Sequence, residues 1–403
     1  VFYFNMFVCV ILYVGLFICS PWIAYFYKDA TLTPVIRVLG LTIVISGVKN
    51  IQQAYVSKTM QFKRFFFSTL GGTIGAAIIG IWMAYKGFGV WALVTQQIFN
   101  AMVDTLILWI TVKWRPKKEF SFERLKGLFS YGWKLLASSL LDTVYNNIRQ
   151  LIIGRMYTPS DLAFYNRGKQ FPDLIITNIN TSIDSVLLPT MSQEQENKER
   201  VKIMTRRAIK TSTYIMAPLM MGLAFCATPV IRLILTEKWL SCVPFMQIFC
   251  ITSMFYPVHT ANLNAIKAMG RSDAYLKLEI IKKVIGMALL LSTMWFGVMA
   301  MAYSLLVSSV LSQIINSWPN RKLLNYGYLE QLKDILPGII LAVVMGICVY
   351  PVQWLGLSDI ITLCIQVPLG MIIYIIGSKI FKVESFEYIL DMIKPYILKI
   401  LHK

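Results

Sequence analysis

The chain has 403 residues, of which 57% are hydrophobic and only 15% charged, and its formal net charge is +19. With a mean hydropathy of +0.61, this composition excludes a single soluble globule, whose surface needs far more charge. The excess Lys and Arg fall in short segments between apolar runs, which points to membrane orientation rather than to nucleic acid.

The apolar runs are about 18–25 residues long, which matches the roughly 20 residues needed to cross ~30 Å of hydrocarbon. They predict twelve helical spans near 3–24, 34–56, 65–85, 90–112, 128–154, 162–190, 210–233, 243–266, 278–297, 299–318, 335–352 and 359–378. The fold class is therefore all-α integral membrane, with each backbone satisfying its own hydrogen bonds. The first residues, Val1 to Phe4, already lie in an apolar run without a charged leader or cleavage site. They are not a signal peptide, and the expectation is that the true N-terminus is missing.

Alternate loops differ sharply in charge. One side holds Lys58, Lys63, Arg64, Arg321, Lys322, Lys333 and the basic residues of 113–126, 198–210, 267–283 and the tail, 28 in all. The other holds Lys28, Lys86, Arg155, Arg232 and Lys238. This split places both chain ends on the cytoplasmic side. The segment 113–126 reads as a joint between helical lobes.

Charged groups inside spans are costly and usually face a cavity or one another. In the span 128–154, Lys134, Ser138, Asp142, Tyr145, Asn146 and Arg149 recur at three- or four-residue steps, which makes one polar helix face. In 162–190, Gln170, Asp173, Thr177, Asn180 and Asp184 do the same, with Tyr165, Asn166, Arg167 and Lys169 just before them. Two readings stand. The stripes line a water-filled cavity of mixed charge, or the residues snorkel and pair between helices. In a cavity, Asp, Asn and Gln suit sugar hydroxyls and Tyr faces suit sugar rings. A pyrophosphate would prefer Arg149, Arg167 or Lys169. Shorter polar sets occur in 90–112 (Gln97, Asn100, Asp104) and 34–56 (Arg37, Lys49, Asn50, Gln52, Gln53).

Gly71 and Gly75 permit close approach of another helix. The seven cysteines form no CxxC pair and read as small apolar residues, and neither His259 nor His402 sits in a metal motif. No metal or other cofactor is expected, and no catalytic constellation occupies a loop. Phe386, Ile389, Leu390, Ile393, Ile397 and Leu401 recur at helical spacing among lysines. This tail, 383–403, is an amphipathic helix that lies on the inner leaflet or packs on the cytoplasmic loops.

A series of short pieces also fits a known pattern: Pro21-Trp-Ile-Ala-Tyr-Phe-Tyr27, Leu32-Thr-Pro-Val-Ile-Arg-Val-Leu39, Gly87-Phe-Gly-Val-Trp-Ala-Leu93 and Trp114-Arg-Pro116. Leu151-Ile-Ile-Gly-Arg155, Leu162-Ala-Phe-Tyr-Asn-Arg-Gly168, Phe171-Pro172, Leu187-Leu-Pro189 and Lys238-Trp239 continue it. In this order and spacing the chain resembles the polysaccharide and O-antigen flippases, the Wzx-like branch of the superfamily that includes the MATE exporters and the lipid II flippase.

The resemblance implies a MATE-like two-lobed helical bundle. Its parts would be an N-terminal lobe at 1–112, a linker at 113–126, a C-terminal lobe at 127–318, two extra spans at 335–378 and the tail. The family has fourteen spans, so the first two would be absent. It implies transport, not catalysis. An undecaprenyl-pyrophosphate-linked oligosaccharide would move from inner to outer leaflet of the bacterial inner membrane by alternating access, for cell-surface polysaccharide or lipopolysaccharide. The partners implied are that lipid-linked glycan, membrane lipids and other polysaccharide assembly proteins. The family often has an acidic residue where Arg149 stands here, which puts any coupling role of that acid in doubt. The competing readings are a cation-coupled drug exporter of the MATE kind and a membrane polymerase or acyltransferase. The cationic Arg149, Arg167 and Lys169 speak against the first, and the small outer loops against the second.

Overall fold

The structure is a computed structural model that describes residues 1–59, 62–116 and 122–401, apart from some side chains within α3, α5, α6 and α15. Part of the expected linker, 117–121, and the last residues of the tail, His402 and Lys403, lie outside the described residues. The chain divides into two compact units, Val1–Val144 and Tyr145–Lys403. The division falls inside one helix, α5 (Phe122–Met156).

The first unit holds α1 (Phe2–Tyr27), α2 (Leu32–Lys58), α3 (Phe62–Tyr85), α4 (Val90–Thr111) and the first part of α5. Asp29 opens the turn into α2, accepting from the Thr31 amide at 2.9 Å and the Thr31 hydroxyl at 2.6 Å. The α3–α4 turn needs positive φ at Gly87 (81°) and Gly89 (53°), a conformation that glycine adopts without steric cost. Small residues let these helices approach closely. A Cβ at Gly47 would lie 2.7 Å from the Cys9 sulfur, and one at Gly75 would lie 2.7 Å from the Phe99 ring. Gly71, Gly72, Gly75 and Gly80 thus form the face of α3 that packs on α4.

The second unit begins in α5. A capping box starts α6 (Pro159–Gln193): the Thr158 hydroxyl accepts from the Asp161 amide, and the Asp161 carboxylate accepts from the Thr158 amide. Asn197 caps α7 (Lys198–Phe225), which bends by 68° into α8 (Ala227–Leu235). After a 3-10 turn come α9 (Val243–Met254) and α10 (Tyr256–Ala268), broken at Phe255 just before Pro257. The rest is α11 (Ser272–Thr293), α12 (Val298–Leu323), α13 (Tyr328–Val349), α14 (Asp359–Ile380) and α15 (Glu384–Leu401). Methionines fill much of the core: Met216, Met220 and Met246 are fully buried, with Met254 and Met345 beside them. Flexible thioethers suit the irregular gaps that kinked helices leave.

The outer faces are apolar. Along α14, Ile360, Ile361, Ile365, Val367, Met371, Ile372, Ile375 and Ile376 are all exposed. In water such a surface would aggregate, whereas in lipid it costs nothing. Among the described residues, eight helical segments are long and apolar enough to cross a membrane, or nine with the bent α7–α8 pair. The chain is a multi-pass, all-helical membrane protein. The expected spans 128–154, 162–190 and 278–297 coincide with α5, α6 and α11. These are too polar to pass the same test, so composition and length support eight or nine spans and leave the remaining three unassigned.

The start of the tail is packed. Lys210 pairs with Glu384 at 2.5 Å, Arg207 lies over the Tyr388 ring at 4.7 Å, and Phe386 and Ile389 rest on the main core.

Candidate functional site

The polar stripes of α5 and α6 have different fates along their length. Within the second unit, Arg149 is buried and donates to the Met301 carbonyl and, at 2.8 Å, to the Ser304 hydroxyl, both on α12. Neither acceptor is charged, and no carboxylate pairs with this guanidinium among the described residues. Tyr145, one turn earlier, is half-buried against α11. Its hydroxyl stands where a Gly286 side chain would be, 2.3 Å from an ideal Cβ, and the Lys283 ammonium lies 5.6 Å from its ring centre. Asn146 is exposed. Asp142 is exposed in the first unit, and the side chain of Lys134 lies outside the described residues.

On α6 the groups are more fully engaged. Arg167 donates to the Gln170 side chain at 2.6 Å and stacks over Trp239 at 5.5 Å. Lys169 and Asp173 form a partly exposed pair at 3.8 Å. Tyr165 is 2% exposed and packs edge-on against Phe245 and Phe249, at 5.9 and 5.1 Å, in the core of this unit. Asp184 accepts from Asn264 at 2.7 Å, while Asn180 is buried with neither amide atom bonded.

The structure therefore brings Arg149 and Tyr145 together with α11 and α12, and leaves Arg167, Lys169, Gln170 and Asp173 as a local cluster on α6. Sequence reasoning missed Lys283, Gly286, Met301 and Ser304. The spacing of Lys283 and Gly286 at i, i+3 was visible, but nothing in it marked their face as turned toward Tyr145. The backbone carbonyl of Met301 leaves no trace in sequence.

In the first unit the charged residues within α2 and α4 pair between helices, while Gln52 is buried with neither amide atom bonded. Lys49 of α2 bonds Asp104 of α4, and Ser68 of α3 donates to the same carboxylate. Arg37 donates to Ser20 at 3.0 Å and covers the Phe17 ring. Snorkelling is not needed to explain these charges, because each meets a partner.

The family of polysaccharide biosynthesis proteins matches residues 1–244. The chain belongs to this family. It is 23% identical over 92% of its length to the teichuronic acid biosynthesis protein TuaB of Bacillus subtilis, covering 78% of that protein. It is 21% identical over 70% of its length to the succinoglycan biosynthesis transport protein ExoT of Rhizobium meliloti, and 22% identical over 78% to the lipopolysaccharide biosynthesis protein WzxC of Escherichia coli. It spans only 58% and 63% of those two relatives. Among solved structures, the lipid II flippase MurJ in an inward closed conformation superimposes with a TM-score of 0.74 at 14% identity, covering 93% of this chain and 81% of that one. That likeness shows a shared fold.

Proposed function

We propose that this chain is a flippase that moves an undecaprenyl-pyrophosphate-linked oligosaccharide from the inner to the outer leaflet of the bacterial inner membrane, by alternating access. It is a transport protein and not an enzyme. The observation that carries the reading is Arg149. A buried guanidinium held by neutral oxygens, with no carboxylate against it among the described residues, favours an incoming anion. A pyrophosphate bearing sugars supplies that charge, and its oxygens match the guanidinium fork. The sugars need polar walls, because their hydroxyls would lose water without replacement in hydrocarbon. Asn146, Arg167, Gln170 and Asp173 offer such groups. Names of relatives that include succinoglycan transport and lipopolysaccharide biosynthesis support the substrate class.

On this reading α5, α6 and α11 cross the bilayer as well, giving twelve spans, their polarity turned to the transport route. The lobes are 1–112 and 127–318, joined by 113–126, with 335–378 as an added pair. Both chain ends are cytoplasmic on this reading, which the distribution of Lys and Arg supports.

The test is export in a strain that depends on this protein. Replacing Arg149 and Arg167 together by Ala abolishes surface polysaccharide while membrane levels of the protein stay normal. Unchanged polysaccharide with the double variant contradicts the role of these cations. A cation-coupled drug exporter is the second reading. It predicts altered drug resistance with intact polysaccharide, and the uncompensated charge of Arg149 disfavours it because it repels cationic drugs.

A further inference from the structure

At the end of the second unit that carries Arg206, Arg207 and Lys210, a cleft of about 880 Å³ opens beside the turn between α12 and α13. Arg321 and Lys322, in the last turn of α12, line it. Both are exposed, and neither has an ion-pair partner among the described residues. The Arg321 side chain runs across the turn, with its Cγ 3.7 Å from where a Gly327 Cβ would lie. Glu330, also at the cleft, is drawn toward Arg206 at 3.7 Å. Gly327 caps α13 without a side-chain acceptor, so the first-turn amides add to the positive field.

Ser317 and Asn325 add neutral polar groups to the lining, and its apolar part is open. Trp318 is 69% exposed and Leu329 is 71% exposed, with Ile314 a turn below Trp318 on α12. Indole rings settle at the headgroup level of a bilayer. Cationic groups above and exposed apolar groups below, at the ends of two membrane-spanning helices, reproduce the profile of one lipid molecule.

We propose that this cleft is a binding site for an anionic glycerophospholipid of the adjacent leaflet. The phosphate lies between Arg321 and Lys322, and the upper acyl chains lie against Trp318, Leu329 and Ile314. Basic pockets between spans on the positive side of a membrane protein are suited to such headgroups. The guanidinium fork of Arg321 takes two phosphate oxygens, and Lys322 adds a point charge. This site does not depend on the transport reading and is separate from the polar stripes of α5 and α6.

The experiment is native mass spectrometry of the full chain in mild detergent, titrated with phosphatidylglycerol or phosphatidylcholine. Wild type retains phosphatidylglycerol in preference to phosphatidylcholine. R321Q/K322Q binds it about thirtyfold more weakly, as loss of two near-surface cations implies. R321K/K322R keeps both charges and stays within about twofold of wild type, which separates lost charge from lost folding. K333Q removes an exposed cation at the same end, outside the cleft, and leaves binding unchanged. Equal retention of phosphatidylcholine overturns the proposal, as does full binding by R321Q/K322Q or an equal loss in K333Q. Displacement of the lipid by inorganic phosphate at equal concentration overturns it in favour of a soluble phosphate ligand.

Discussion

Asn262 and Gln331 exchange two amide hydrogen bonds across α10 and α13. The Asn262 Nδ2 donates to the Gln331 Oε1 at 2.8 Å, and the Gln331 Nε2 donates back to the Asn262 Oδ1 at 2.9 Å. Both side chains are fully buried, and Asn320 of α12 donates to the same Asn262 oxygen at 2.6 Å. One amide cluster ties α10 to the consecutive helices α12 and α13. Asn262→Leu takes the donor from the Gln331 Oε1 and leaves the Gln331 and Asn320 amides only their longer bonds, to the Tyr326 carbonyl at 3.3 Å and the residue-262 carbonyl at 3.2 Å, and destabilises the protein by about 2 kcal/mol. N262L/Q331L recovers part of that loss, so thermal unfolding shows positive coupling between the two sites. Simple additivity of the single variants contradicts the cluster.

The Lys49–Asp104 pair makes a sharper prediction because both groups sit between helices. Removing one partner strands a charge, whereas removing both does not. K49M and D104L each lower stability by roughly 2–4 kcal/mol, and K49M/D104L is more stable than either. A double variant as unstable as the sum of the singles shows that the pair is not what holds α2 to α4.

Gly286 and Tyr145 predict a steric effect at the candidate site. Gly286→Ala drives a methyl group into the Tyr145 hydroxyl. It lowers polysaccharide export while the protein still reaches the membrane. Y145F in the G286A background removes the clashing oxygen and restores export in part. No rescue by Y145F places the defect elsewhere on α11.

Outside the membrane, Asp273 couples folding of the α11 start to pH. The Arg271 side chain and the Ala274 amide hold its carboxyl down to about 2. A carboxyl that is more acidic when folded contributes stability above its unfolded value of roughly 3.9, and that contribution fades as pH falls toward about 2. D273N shows a shallower loss of local protection on acidification, measured by hydrogen exchange at the start of α11. An identical acid profile in D273N contradicts the coupling.

Much of this architecture was legible because apolar length and loop charge are written directly in the sequence. The polar faces of α5 and α6 were legible for the same reason, since spacing fixes which residues share a helix face. The far side of each face was not. Tyr165 and Asn166 are neighbours in sequence, yet only packing against Phe245 and Phe249 decides that the tyrosine ring belongs to the core. The segment 198–210 reads as a charged loop. It is instead the first turns of α7, where Val201, Thr205 and Ile209 are buried at four-residue spacing beneath a basic outer face. Lys277, Lys282 and Lys283 likewise belong to α11, steadied by the Lys282–Glu279 pair at 2.6 Å. Hydropathy averages such helices to the level of a loop. The break at Phe255 follows from Pro257, which removes an amide from the helix ladder, but an averaged apolar run hides it.

The central claim is most directly measured in sealed vesicles that contain the purified protein and a pyrophosphate-linked oligosaccharide lipid, probed with a membrane-impermeant glycosidase. With wild-type protein, the fraction of glycan cleaved rises from the outer-leaflet half toward completion. With Arg149→Ala it stays near the level of protein-free vesicles. Cleavage by wild type that never exceeds the protein-free level, in vesicles where the protein is folded, contradicts the account.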